Sequence, residues 1–566
     1  MNLRQSYKKV RARLNKPVLI SKRWPDYVFV FFLCLGIFLR LGPLVHKDLW
    51  QDELFSISFA SKEYSPLLHI LHPLDDRPPL FYLFVKTQLL FSHDKIFLRL
   101  PSLLSSTAVI AIVYVMFRKK HPGIALTLTA MATLSPYLIS FSWQVRDYGL
   151  MLSITALAIY ILYQQLLQIE AKKKISWRAV SVYVLLTLIG CLLNYIYFVY
   201  SFILLFMLGV LGVWLFRKKN LLFADYYRKL FLLHIPVFSL VFQYLLIQRQ
   251  TIEVTTAWIP SFSWQALTGY IATIGGVSYA FETILKKDEF TYLFQSIAVV
   301  VVLIIGSVLF IKQRKRYSRS LQLLVWLSFS VFIVTTTAMY VLGKLTHTSL
   351  FLTKTFVPVA VFFLIGYGVV LTGLIKKVVT NSCLLLIVGS TLGAVLSYQV
   401  TTEYLYNFPL LLGDEQAENH QSYTDAMKVL LPLIDEGTQL VILPHGSQPL
   451  IMDYYFYDKK GEIDRFATFL ETKATNQDVP LNHVRPYISM RKVVLLSNST
   501  IFSPEASTRY YLPSYLKTIV KIRTMIEAAC GGKLKLVQNT SQHTIEMCEV
   551  MVKRSDQVQK LQQQIL

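Results

Sequence analysis

Charge is scarce in this chain. Of 566 residues only 16% are Asp, Glu, Lys or Arg, against about 25% in a soluble domain. That shortage over such a length excludes an ordinary cytosolic protein and a disordered one. Acid is scarcer than base, with 33 Asp+Glu to 57 Lys+Arg and a net charge of +24. A pI of 9.6 would suit a nucleic-acid binder. The basic residues, however, sit in short clusters between apolar runs, which is how a membrane protein sets its orientation; no nucleic-acid partner is expected. Cysteine is also rare. Of five, Cys34, Cys191 and Cys383 lie inside apolar runs, and Cys530 and Cys548 lie in a polar tail. No CxxC or Cys/His cluster of metal-ligand spacing occurs. Internal repeats and low-complexity tracts are missing as well. No small-residue cleavage site follows the basic N-terminus, so the first apolar run is kept as a span.

Long apolar runs are what the sequence has in abundance. Hydrophobic residues make up 54% and the mean hydropathy is +0.47. A bilayer core needs about 20 mostly apolar residues per helix. That rule predicts eleven spans, at 27–45, 98–117, 123–142, 149–168, 179–193, 197–216, 230–247, 291–311, 321–342, 355–375 and 379–398. The long run 179–216 is divided at Asn194-Tyr195, because Asn is poorly placed at membrane depth. The stretch 78–93 is too short, opens with Pro78-Pro79 and contains Lys86; it is predicted to be a juxtamembrane helix.

Charge supports this division. With the N-terminus inside, the inner segments hold 27 Lys/Arg in 66 residues and the outer loops 11 in 115. The positive-inside rule thus predicts a cytoplasmic basic N-terminus (1–26), a transmembrane domain (27–399) and an exterior tail (400–566). Carboxylates before the tail gather on the outer side, so polar chemistry is expected there. The tail is predicted to be a small α/β domain. Its strand-like runs are Gln439–Leu443, Lys492–Leu496, about 533–538 and 543–552, and its helix-like ones 422–435 and 507–529. Cys530 and Cys548 share this tail and are candidates for a disulfide.

The outer loop 46–97 carries the densest motif. It reads Asp48-Leu49-Trp50-Gln51-Asp52-Glu53, then a helix-like 54–62, then Asp75-Asp76-Arg77-Pro78-Pro79-Leu80-Phe81-Tyr82. Carboxylates next to a membrane span are costly unless they have a task or a partner. Downstream come Arg99-Leu100-Pro101-Ser102, Ser135-Pro136 and Ser142-Trp143-Gln144-Val145-Arg146-Asp147-Tyr148. In this order the set resembles the GT-C superfamily of integral-membrane glycosyltransferases, nearest to its protein mannosyltransferases and lipid A aminoarabinose transferases. The likeness weakens after residue 220.

The resemblance implies transfer of a sugar, hexosyl or pentosyl, from a polyprenyl-phosphate donor at the outer face of the cell membrane. The acceptor would be a protein, a lipid or a glycan, and membrane lipid the other partner. Asp52 matches the family's catalytic Asp and Glu53 its neighbour. Arg77, Arg146 and Lys354 are the candidate cations for the donor phosphate, with Asp76, Tyr82, Asp147 and Tyr148 in support. One position departs: Gln144 stands where the family has an acid, and Asp147 is a candidate substitute. That leaves the role of a divalent metal open. Aromatic residues of the loop 248–290, Trp258, Trp264, Tyr270 and Tyr279, suit an interfacial belt better than a sugar platform. Two other readings compete: a transporter or flippase of lipid-linked sugars, and a non-catalytic membrane scaffold.

Overall fold

The computed structural model describes residues 24–46, 49, 51–61, 78–216, 221–256, 264–275, 289–346, 353–379, 429–433, 438–443, 492–498, 527, 534–539 and 543–549. They form two compact units. The first holds the helices α1 Trp24–His46 (to Val45), α4 Lys95–Phe117 (from Arg99), α5 Pro122–Leu134, α6 Pro136–Ser140, α7 Asp147–Glu170, α8 Trp177–Leu193, α9 Ile196–Phe216, α10 Leu221–Thr256, α11 Trp264–Ile274, α12 Glu289–Gln313, α13 Arg319–Thr346 and α14 Val357–Val379. The second holds α2 Gln51–Ser61, α3 Leu80–Leu89, the opening of α4 to Leu98, and four strands.

Among the described residues, eight helices are long and apolar enough to cross a membrane: α1, α4, α7, α9, α10, α12, α13 and α14. The chain is a multi-pass membrane protein. Helix α14 is the core of the first unit, buried over 83% of its apolar window and packed against α5, α7, α12 and α13. Helices α1 and α10 are buried over only 22% and expose Phe31, Phe38, Leu240 and Phe242, as lipid-facing helices should. Asn194 does end α8. Its side-chain oxygen accepts from the Ile196 amide at 3.0 Å, a local turn that competes with helix.

Segments assigned to one side of the bilayer meet one another. Arg118 lies 4.0 Å from Asp26, and Lys229 donates to the Ile175 carbonyl at 3.0 Å. The Glu170 carboxylate accepts from the Arg319 amide at 2.9 Å and from the Ser320 hydroxyl at 2.7 Å. At the opposite ends, Asn194 meets Asp147 and Tyr270 meets Phe356.

One expected span is corrected. Residues 123–142 do not form a single helix. α5 stops at Leu134, Ser135 takes an extended conformation, and the short α6 starts at Pro136. Proline has no amide hydrogen, so a helix cannot run through this point with its hydrogen bonds intact. The stretch 78–93 contains α3, ten residues long and too short to span. The last expected span, 379–398, lies beyond Val379 and outside the described residues.

The apolar runs of the tail are strands. β1 Thr438–Leu443, β2 Lys492–Asn498, β3 Lys535–Asn539 and β4 His543–Glu549 form one sheet in the order β1-β2-β4-β3. β1 and β2 are parallel, with Leu440 opposite Val494. β4 runs antiparallel to both neighbours. Val494, Leu495 and Ile545 are buried. Most of the helix-like stretches 422–435 and 507–529 lies outside the described residues.

Candidate functional site

Asp52 and Glu53 belong to the first turn of α2, which begins at Gln51 and not after the acidic pair. Carboxylates are favoured there, against the positive end of the helix dipole. The two differ in exposure: Glu53 is fully buried, and Asp52 is part-exposed. Asp52 is therefore the member of the pair that a solvent-borne group can reach. α2 packs on α3 through Phe59 and Tyr82, whose ring centroids are 4.7 Å apart. Tyr82 is buried against this face and is an anchor of α3. Gln88 ties α3 to the start of α4, donating to the Phe97 carbonyl at 3.2 Å. Arg77 and Asp76 lie outside the described residues, as does Cys530; Cys548 lies on β4, with its side chain undescribed.

In the first unit the motif residues 142–146 form a buried, non-helical turn, and Asp147 and Tyr148 open α7. Arg146 occupies the cap position of α7 and is 2% exposed. Its guanidinium carbon lies 5.6 Å from the centre of the Tyr148 ring. Asp147, the first residue of α7, is completely buried. It accepts a 2.6 Å hydrogen bond from the Asn194 side chain.

Gln144 is held rigidly. Its amide nitrogen donates to the Ser140 carbonyl at 2.8 Å, and its backbone carbonyl accepts from the Ser102 hydroxyl. Its side-chain oxygen is buried with no hydrogen-bond partner among the described residues. Arg99, also fully buried, donates to the Leu44 carbonyl at 3.2 Å and lies 5.5 Å from the Trp143 ring centre. Gly149 lets α7 come this close to α4: a Cβ there would stand 2.8 Å from the Ser102 Cβ and 2.9 Å from the Phe141 carbonyl oxygen.

Lys354 lies on the short 3-10 turn Thr353–Phe356 and is part-buried. Phe356, on the same turn, packs on Tyr270 at 4.3 Å. Tyr270 is 1% exposed, stacks on Phe332 at 5.7 Å and shares a 3.2 Å hydrogen bond with Thr336. It is a core residue and not part of an interfacial belt, because α11 packs inside the unit mainly against α12, with α6 and α14 beside it, and Tyr270 itself reaches Phe332 of α13. Tyr137 of α6 meets the Phe141 ring at 4.9 Å, and Phe141 meets the Tyr148 ring at 5.2 Å. Trp258 and Tyr279 lie outside the described residues.

Two polar residues escape the motif pattern: Arg40, a charge within an apolar run, and Asn194 as a partner of Asp147. Among the described residues no three His, Cys, Asp or Glu side chains come together in a set able to hold a metal ion. The motif's acidic position holds a neutral amide. The described residues by themselves do not make a donor set for a divalent metal.

No family model and no curated protein matches the chain. Among solved structures it is similar to ArnT from Cupriavidus metallidurans in the apo state. The TM-score is 0.50 at 14% identity, over 92% of this chain and 97% of that one. The same protein bound to undecaprenyl phosphate gives a TM-score of 0.48, again at 14% identity with 92% and 97% covered. An apo oligosaccharyltransferase from Archaeoglobus fulgidus gives 0.46 at 11% identity, over 88% of this chain and 73% of that one.

Proposed function

For a chain with the fold of ArnT, the GT-C architecture that the motif order implies, we propose a polyprenyl-phosphate-sugar-dependent glycosyltransferase. It moves a hexosyl or pentosyl group to an acceptor hydroxyl at the outer face of the membrane. Asp52 takes the proton of the acceptor hydroxyl as that oxygen attacks the anomeric carbon. The bond from the anomeric carbon to the phosphate oxygen breaks, and the lipid phosphate leaves with the electron pair. Arg77, Arg146 and Lys354 neutralise the charge on that phosphate. Glu53, buried on the same turn, orients Asp52 or the acceptor. Asp147 and Tyr148 hold Arg146 in place.

The observation that carries this reading is the Arg146-Asp147-Tyr148 turn. A cation, a carboxylate and an aromatic ring are buried together at the head of a span-length helix, where desolvation strengthens the pull of the Arg146 guanidinium on an anion. Gln144 supplies a neutral acceptor beside them, suited to a sugar hydroxyl and not to proton abstraction.

The test is to incubate membranes containing the protein with a panel of polyprenyl-phosphate sugars and identify the labelled product by mass. A sugar-bearing protein, lipid or glycan supports the reading. Movement of the lipid-linked sugar without transfer would identify a transporter or flippase. Neither transfer nor movement would leave a scaffold.

A further inference from the structure

Arg40 lies near the end of α1, inside an apolar span, and is fully buried. A charge at such a position is expensive unless its donors are satisfied. Its Nε donates to the Ser106 hydroxyl at 3.0 Å. Its Nη1 donates to the Gly36 carbonyl at 2.9 Å and the Thr133 carbonyl at 3.3 Å, and its Nη2 to the Ala132 carbonyl at 2.9 Å. These acceptors are neutral, and two of them are carbonyls in the last turn of α5.

The choice of carbonyls has a chemical reason. In an unbroken helix the Ala132 carbonyl would accept from the amide of residue 136. That residue is Pro136, which has no amide hydrogen. Arg40 supplies the donor that the proline removes, and its charge meets the negative end of the α5 dipole. The arrangement continues into the next segment. The Ser106 hydroxyl, held by Arg40, donates to the Leu138 carbonyl in α6 at 2.9 Å. The Thr133 hydroxyl returns to α1, donating to the Phe32 carbonyl at 3.1 Å. Gly36 permits the close approach of these helices, since a Cβ there would stand 2.5 Å from the Ile110 Cδ1. Four helices therefore meet at the break.

The candidate site comes directly after the break. α6 leads into the turn 141–146, whose members bond back to α6: Ser142 to the Ile139 carbonyl at 2.6 Å and Gln144 to the Ser140 carbonyl at 2.8 Å. The direction of α6 thus sets where Arg146 and Asp147 stand.

We propose that Arg40 is a positioning residue: it stabilises the chain break at Ser135-Pro136 and, through Ser106, fixes α6 and the turn that presents Arg146 and Asp147. Its link to sugar transfer rests on the glycosyltransferase function already proposed; its structural part does not.

The test uses the purified full-length protein in lipid nanodiscs. Arg40→Met keeps the stem and removes the donors, and Arg40→Lys keeps a charge with fewer donors. The double variant Arg40→Met/Pro136→Ala restores an amide hydrogen at the break. Hydrogen–deuterium exchange of peptides covering 132–148 is read beside thermal stability and transfer rate. Arg40→Met should speed exchange in that segment alone by about tenfold or more, the equivalent of one charge-assisted hydrogen bond, and transfer should fall with it. Arg40→Lys should lie between. In the double variant stability should recover while transfer stays low, because a continuous helix carries Arg146 elsewhere. Unchanged exchange, or exchange raised evenly over all helices, overturns the proposal. So does a double variant that regains both stability and transfer. If the unsubstituted protein transfers no sugar, the proposed glycosyltransferase function fails, and the exchange measurement still decides the role of Arg40.

Discussion

Gly149 sets two effects of opposite sign against each other. Replacing glycine by alanine inside a helix ordinarily gains about 1 kcal/mol, because alanine loses less backbone freedom. At Gly149 the added methyl would stand 2.8 Å from the Ser102 Cβ and 2.9 Å from both the Ser102 Cα and the Phe141 carbonyl oxygen. Two of these three neighbours are backbone atoms, so no side-chain rotation relieves the clash. Forcing a methyl into such a core costs about 1–3 kcal/mol, and the rigid neighbours put this site at the upper end. Overpacking should win by about 1–2 kcal/mol. Gly373 on α14 is the control: a methyl there meets only the Tyr317 hydroxyl, at 3.7 Å, an ordinary contact. Thermal unfolding in detergent should show Gly149→Ala less stable than the parent and Gly373→Ala equal to it or better. The reasoning is refuted if Gly149→Ala matches the control, because the close approach of α7 to α4 would then not exist.

Four further outcomes are expected. Asn194→Ala deprives the buried Asp147 carboxylate of its 2.6 Å donor and should cost about 1.5–3 kcal/mol, read as a lower thermal midpoint and weaker transfer. Burial, and next the charges of Lys120 and Lys376, hold the His121 imidazole below its ordinary 6.5. Folding therefore favours the neutral ring: its contribution is complete above that pH and is lost as pH falls below it. His121→Gln should flatten the decline of stability on the acid side, and an unchanged slope would assign that decline to other groups. Glu170→Ala removes the acceptor of the Arg319 and Ser320 amides at 2.9 and 3.3 Å and should cost about 1 kcal/mol, as loss of a helix cap does, without touching transfer per folded molecule. Arg77→Ala should lower transfer by about 10²–10³ and Arg77→Lys by less, since only Arg binds phosphate bidentately; equal, near-parent rates in both would move the phosphate role to Arg146 or Lys354.

Much of this architecture can be read from the sequence, because the bilayer imposes a length and a polarity that few segments meet. The split at Asn194 and the short α3 at 80–89 follow from polar and proline residues in plain view. The four strands of the tail follow from short apolar runs set in polar surroundings. The break at Ser135-Pro136 is also signalled, by the proline itself. Hydropathy over 123–142 conceals it, since both sides of the break are apolar. Side-chain partners are another matter. Arg40 meets Ala132 and Asp147 meets Asn194 across long sequence separations, and no local spacing encodes either pair. The same holds for Tyr270, whose core position depends on the packing of α11. Motif order points to Arg146 and Asp147 as a site but not to what buries them.

The central claim is that Asp52 is the base of a sugar transfer. The most direct measurement compares Asp52→Asn with the parent, at matched expression, on the polyprenyl-phosphate sugar that the parent uses. Asparagine keeps the shape of the side chain and cannot accept the proton, so transfer should fall by about 10²–10⁴ while the thermal midpoint stays that of the parent. Transfer by Asp52→Asn within a few-fold of the parent would contradict the assignment of Asp52 and the mechanism built on it.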